Sequence, residues 1–178
     1  MLITIGADHG GFEYKETLRA WLADVELAGQ QAKLEIRDCG AFELNPEDDY
    51  PVFATALAKD LLAAQAEGKP AFGILLCRSG AGMAMAANRF SAIRAAVVTT
   101  EEQAVHARAH NNANVIVLSG DWLDLDQMKA CILKFVTTQF GSEERHIRRI
   151  AQLGALGQHQ VGQQHVEQIP MEELPPVV

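Results

Sequence analysis

The sequence predicts an α/β fold, a doubly wound three-layer α/β/α sandwich around a five-stranded parallel sheet, Rossmann-like in plan. Three observations predict it. Short apolar, β-prone runs recur along the chain up to Leu118, segments of helical periodicity alternate with them, and the connections between the two are short. Such alternation imposes right-handed crossovers and covers both faces of the sheet.

Each element has its own signature. Leu2–Ala7 reads as the first strand, Asp8-His9-Gly10-Gly11 as a turn, and Phe12, Leu18, Leu22 and Val25 as the apolar stripe of a helix. Lys33–Asp38, alternating at Leu34 and Ile36, is the second strand. It leads into a polar loop, Cys39–Tyr50, with Asn45-Pro46 and an acidic cluster. Pro51 opens a helix whose apolar positions Phe53, Leu57, Leu61 and Leu62 run toward Gly68. Pro70 precedes the third strand, which ends at Cys77. A helix over Gly82–Arg89 precedes the fourth strand, Ile93–Val98. Glu101 and Glu102 then open a helix that closes at His110-Asn111-Asn112. Asn114–Leu118 is the fifth strand, and Trp122–Phe140 carries Leu125, Met128, Ile132, Phe135 and Val136 on one stripe until Gly141. Glu143–Leu153 is a short charged helix bearing Arg145, His146, Arg148 and Arg149. Residues 1–153 therefore make one domain. Residues 154–178, rich in Gly, Gln, His and Pro, are expected to be a tail that is mobile or packed on a partner subunit.

Composition narrows the partners. With 178 residues, 48% of them hydrophobic, the chain can bury a core without staples. A formal net charge of −8 argues against nucleic acid or an anionic membrane as the main partner. The three cysteines, Cys39, Cys77 and Cys131, form neither a disulfide framework nor a CxxC pair, no metal site is legible, and a reducing compartment follows. The start MLITIGADHG has neither a basic leader nor a long apolar segment, so the cytoplasm is expected.

The chemistry concentrates in Leu75–Asn88, LLCRSGAGMAMAAN, a strand end, glycine loop and helix start. Ser79, Gly80, Ala81 and Gly82 let successive N–H groups point at one spot, which suits an anion and favours thiolate at Cys77. In a doubly wound fold ligands sit outside the carboxyl ends of the strands, where Asp8-His9, Cys77–Gly82 and the segment after Leu118 fall. His110 falls at the opposite end of the fifth strand. If both Cys77 and His110 are catalytic, a neighbouring subunit supplies one of them.

Taken singly, these residues have plainer readings. Cys77 suits a small buried position, Asp8 a turn, His9 a partly buried imidazole, and His110–Asn112 a helix exit. Arg145–Arg149 suits a solvated face, and His106, His159 and His165 sit in no motif. Other activities fail on the letters: there is no GxxxxGK, GADHGG lacks dinucleotide glycine spacing, a cysteine phosphatase would need arginine at Met83, and a receiver domain would need an acid at Cys77.

GADHGGFEYK, DYP at Asp49–Pro51, the cysteine–glycine loop, AANR at Ala86–Arg89, HNNANV at His110–Val115 and RHIRR at Arg145–Arg149 occur in one order. Together they resemble the family of ribose-5-phosphate isomerase B and the galactose-6-phosphate isomerase subunits, and the resemblance leaves out the tail. It implies an aldose–ketose isomerase acting through a cis-enediol, without metal or organic cofactor, as a homodimer or tetramer whose subunits share each site. Ribose 5-phosphate to ribulose 5-phosphate is the first choice. Allose or galactose 6-phosphate, or a non-catalytic phosphosugar-binding role, are the alternatives. The resemblance also implies roles by position. Cys77 would move the proton between C2 and C1, Ser79 and the N–H groups of Gly80 and Gly82 would hold the enediolate, and Asp8 would orient a hydroxyl or the ring oxygen. His110, with Asn111 beside it, would open the ring from the adjoining subunit, and His9, Arg145 and Arg149 would bind phosphate. Two positions depart from the family. Arg78 stands where glycine is usual, and Asp121 where many members have a phosphate-holding arginine; Met83 stands where some place a glutamate base. Arg78 and Asp121 either exchange roles, with Arg78 drawing phosphate to the loop, or pair with each other, or mark a substrate of different length or charge position.

Overall fold

A computed structural model describes residues 1–25, 33–141 and 143–158. Uninterrupted apolar runs become the central strands. β1 (Leu2–Ala7) and β5 (Val115–Ser119) are buried at every residue and β3 (Ala71–Cys77) at all but Phe72, as expected of strands covered on both faces. The partly exposed β2 (Glu35–Asp38) and β4 (Ala95–Val97) form the edges. The sheet order is β2-β1-β3-β5-β4 and every pairing is parallel.

The helices are α1 (Phe12–Asp24), α2 (Tyr50–Ala66), α3 (Ala81–Ala87), α4 (Glu101–Asn111), α5 (Leu125–Thr137) and α6 (Glu144–Gln158). Strand alternation sorts the core into two layers. Ile3, Ile5, Ile74, Leu76, Ile116 and Leu118 pack with Leu18, Leu22, Ala104 and Phe135 of α1, α4 and α5. On the other face Leu2, Leu75, Val115 and Val117 pack with Leu57, Leu61 and Met83 of α2 and α3. This is the three-layer sandwich expected.

Boundaries shift where local chemistry decides them. α5 starts at Leu125 rather than Trp122 because Asp124 and Gln127 form a reciprocal capping box, with both hydrogen bonds at 2.9 Å. The edge strands β2 and β4 are shorter than expected, each having a neighbour on one side only. α6 continues to Gln158, beyond the expected boundary at Leu153. Gly154 and Gly157 each cost about 1 kcal/mol relative to alanine and do not stop the helix before Gln158. The rest of the expected tail, with His159 and His165, lies outside the described residues.

One close approach seats α1 on the sheet. A Cβ at Gly11 would lie 2.7 Å from the carbonyl carbon of Leu76 and 2.8 Å from its oxygen, so only glycine lets the helix start against the β3 backbone. Lys15, one turn on and fully buried, ties α1 to the end of β2 through Asp38 at 2.7 Å. Gly11→Ala is expected to lower stability by about 2 kcal/mol, read as a lower urea midpoint at unchanged slope; an unchanged midpoint would show that α1 can shift freely.

Candidate functional site

Register brings three strand ends together. Ala7 pairs with Leu76 and Cys77 with Ser119, so Asp8, Cys77 and Gly120 leave β1, β3 and β5 side by side. Gly80, in the left-handed region at φ 81°, turns the loop back so that its N–H donates to Cys77 Sγ at 3.0 Å. The N–H groups of Ser79 and Met83 also bear on the sulfur. Ser79 Oγ accepts the Ala81 N–H at 3.3 Å. Gly82 has a packing duty as well, since a Cβ there would come within 2.9 Å of the Tyr50 ring.

The loop was expected to favour thiolate, and the balance falls the other way. Burial pushes the Cys77 thiol above its ordinary value and the charge of Asp8 adds to the rise, while the N–H groups offset only part. Cys77 is 6% exposed and α3 has seven residues, so desolvation outweighs the dipole of so short a helix. Asp8 is also buried and its carboxyl is raised, first by that burial, against a 2.9 Å hydrogen bond from the Gly10 N–H and the charge of His9.

His9 is held by a residue the sequence left inside an acidic cluster. Asp48 Oδ1 lies 2.6 Å from His9 Nδ1 and accepts the His9 backbone N–H at 3.1 Å. The hydrogen bond to Asp48 raises the His9 pKa, and desolvation opposes it. Asp48 Oδ2 is buried without a hydrogen-bond partner among the described residues. No local pattern could mark Asp48, which meets His9 only through the fold. Arg78 and Asp121 pair, with Arg78 Nε 3.3 Å from Asp121 Oδ1, and the Asp121 N–H donates to the Arg78 carbonyl at 3.0 Å. Gly10 leaves room for the Arg78 side chain to cross it. Both charges are substantially exposed, so the pair contributes no more than about 1 kcal/mol.

The second group of residues sits at the other end of the sheet. His110 and Asn111 close α4, and Asn112 follows in the left-handed region at φ 46°. Arg108 fixes this exit by donating to Asn112 Oδ1 at 2.8 Å and to the Ala113 carbonyl at 2.6 Å, while Arg94 Nε donates to the Asn112 carbonyl at 2.7 Å. The segment before α6 returns here, with the Gly141 N–H on the Ala109 carbonyl at 2.9 Å. The His146 ring then lies 4.7 Å from that of His110, and His106 Nδ1 is 3.2 Å from His110 Nδ1. Arg145 and Arg149 lie on α6, exposed, and Arg145 pairs with Glu143 at 2.8 Å. A cavity of about 710 Å³ beside Asn111 is lined by Arg94, Ile150 and Leu153 among others.

One chain thus gathers Asp8, His9, Cys77, Arg78, Ser79, Gly80 and Gly82 at one end. It places His110, Asn111 and α6 at the other, about 13 Å away along β5. The sequence reading missed His106 and His146 as neighbours of His110. The spacing of His106 and His110, four apart on one helix face, was the available signal for the first.

Two outcomes test these electrostatics. Asp8→Asn removes a like charge and should move alkylation of Cys77 by iodoacetamide to lower pH. Cys77 should also be the first thiol to react, because Cys39 and Cys131 are pushed up to about 12 and about 11. Asp48→Asn removes the partner that raises His9, so the His9 ring should titrate at lower pH by NMR. An unmoved titration would deny Asp48 that influence.

A family model described as Ribose/Galactose Isomerase matches residues 3–153. Ribose-5-phosphate isomerase B of Mycolicibacterium paratuberculosis is 37% identical over 150 residues, 84% of this chain and 87% of the relative. The Thermotoga maritima ribose 5-phosphate isomerase structure superposes with a TM-score of 0.75 at 36% identity, covering 86% of this chain and 97% of that one. Ribose-5-phosphate isomerase B from Mycoplasma genitalium, solved with bound ribulose-5-phosphate, gives a TM-score of 0.76 at 30% identity over 88% of this chain and 96% of that one.

Proposed function

The chain belongs to the ribose/galactose isomerase family, and from that premise we propose that it interconverts ribose 5-phosphate and ribulose 5-phosphate through a cis-enediol. The observation that carries the reading is Cys77 at the end of β3, its sulfur met by the Gly80 N–H and its neighbour the buried Asp8. A thiol held above its ordinary pKa is a strong base once ionised, which suits removal of a carbon-bound proton. Cys77 takes the C2 proton and returns it to C1, while Ser79 and the loop N–H groups receive the developing enediolate. Donors of that kind contribute roughly 3 kcal/mol each in a dry site. His9, whose pKa is raised by the hydrogen bond to Asp48, binds phosphate together with Arg145 and Arg149, and Asp8 orients a substrate hydroxyl.

His110 and Asn111 act from a second copy of the chain, which brings its α4 and α6 to the Cys77 end of the first. The separation of the two groups within one chain supports this shared site and a dimeric or larger assembly. The reaction needs no cofactor, and the free thiols and acidic surface fit the cytoplasm. The Arg78–Asp121 pair stands beside Gly10 and Gly120, where a longer sugar phosphate would be felt, so allose and galactose 6-phosphates belong in the same assay.

In deuterated water the protein should exchange the C2 hydrogen of ribose 5-phosphate and yield the ketose, and Cys77→Ala should reduce both at least about 100-fold. No exchange with any of these sugars would defeat the enzyme reading. Cys77→Ala and His110→Gln, each inactive alone, should recover about a quarter of wild-type activity when subunits are mixed and exchanged. No recovery would place both residues in one subunit's site.

A further inference from the structure

His110 stands between two other imidazoles. His106, one turn earlier on α4, meets it edge to face, with ring centroids 4.6 Å apart and planes at 88°. His146 of α6, 5% exposed, lies on it at 4.7 Å with planes tilted by 36°. Among the described residues no group of His, Cys, Asp or Glu is arranged to hold a metal ion, so the cluster has to be understood through its protons. The two Nδ1 atoms of His106 and His110 are 3.2 Å apart. One must carry hydrogen and the other a lone pair, because two donors or two acceptors at that distance repel. The hydrogen bond at one imidazole nitrogen decides what the other nitrogen presents.

We propose that His106 is a positioning residue that donates its Nδ1 hydrogen to His110 Nδ1 and so keeps His110 as the Nε2–H tautomer, a proton donor to the ring oxygen of the cyclic sugar. This rests on the reading of His110 as the ring-opening group. Ring opening breaks the bond between C1 and the ring oxygen. The C1 hydroxyl gives its proton to solvent water as the new carbonyl forms, the ring oxygen takes a proton from His110 Nε2, and His110 regains one from solvent, so that the net change is one proton moved from the C1 hydroxyl to the ring oxygen. A neutral His110 with hydrogen on Nδ1 would present a lone pair to that oxygen and could not supply the proton. His146 holds the ring plane from the other side. Its own Nδ1 is buried without a hydrogen-bond partner among the described residues, and burial keeps this imidazole below its ordinary pKa, with Glu143, Arg145, Arg149 and the titratable His110 facing it. A neutral neighbour leaves the orientation of His110 to the His106 contact.

The substrates separate this role from the enediol step. Ribose 5-phosphate is cyclic, whereas ribulose 5-phosphate is open-chain because the hydroxyl that would close a five-membered ring is esterified. His106→Phe keeps the edge-to-face ring contact and removes the hydrogen bond. It should lower kcat for ribose 5-phosphate about 10-fold or more with KM little changed, and leave solvent exchange at C1 of ribulose 5-phosphate at the wild-type rate. His106→Asn, whose amide N–H can replace the Nδ1 donor, should recover most of the loss. Equal slowing of both reactions, or slowing of neither, would overturn the proposal. Nitrogen-15 NMR of the wild-type protein at pH above the histidine titrations tests it without turnover. His110 should carry hydrogen on Nε2 with Nδ1 as acceptor, and the opposite tautomer would overturn the assignment. A wild-type protein inactive on both sugars would sink the isomerase reading separately.

Discussion

The contact of Gly11 with the backbone of Leu76 is the constraint on which the Cys77 end of the sheet depends. Because α1 starts against β3, the turn from Asp8 to Gly11 is clamped between two strands. The Gly11 N–H reaches the Asp8 carbonyl at 3.0 Å and the Asp8 N–H reaches the Leu76 carbonyl at 3.4 Å. The Asp8 carboxyl has nowhere to go but beside Cys77. Two acids buried together resist carrying two negative charges, so each raises the other's cost of ionisation. The glycine loop then makes that cost bearable by pointing its N–H groups at the sulfur.

Parallel strands explain why the remaining groups are elsewhere. In a β–α–β unit the chain leaves one strand at its carboxyl end and enters the next at its amino end, so a helix exit such as His110–Asn112 lies across the sheet from a strand exit such as Cys77–Gly80. No loop adjustment within one chain can bring them together. The same geometry leaves the α6 side chains Ile147, Leu153 and Leu156 exposed, an apolar stripe near the histidines rather than near the thiol.

Much of this was legible in the letters. Four strands followed from short apolar runs and the second from the alternation of Leu34 and Ile36, and the glycine loop from its small residues after a strand. The separation of Cys77 from His110 followed from their places before and after helices. What was not legible depended on balance or on distance. The thiol's shift turned on how deeply Cys77 is buried relative to a seven-residue helix, which periodicity does not report. Asp48 reaches His9 across 39 positions, and His146 reaches His110 only because Gly141 is tied to Ala109. Of the open readings for Arg78 and Asp121, the structure shows the pair. The end of α6 was misplaced because the composition of residues 154–178 as a whole hid the few residues at their start that continue the helix.

Arg108 carries a last implication. Its guanidinium lies 4.7 Å from the Phe72 ring and 5.7 Å from the Phe135 ring, which themselves meet edge to face at 5.7 Å. Among the described residues its Nε has no hydrogen-bond partner and no carboxylate is paired with it. The cation is therefore accommodated by aromatic faces and by the oxygens of Asn112 and Ala113. The left-handed exit that aims His110 and Asn111 thus inherits its angle from two phenylalanines in the interior. The geometry of that surface turn is set from inside the hydrophobic core, and a change at Phe72 or Phe135 reaches His110 and Asn111 through the seat of Arg108.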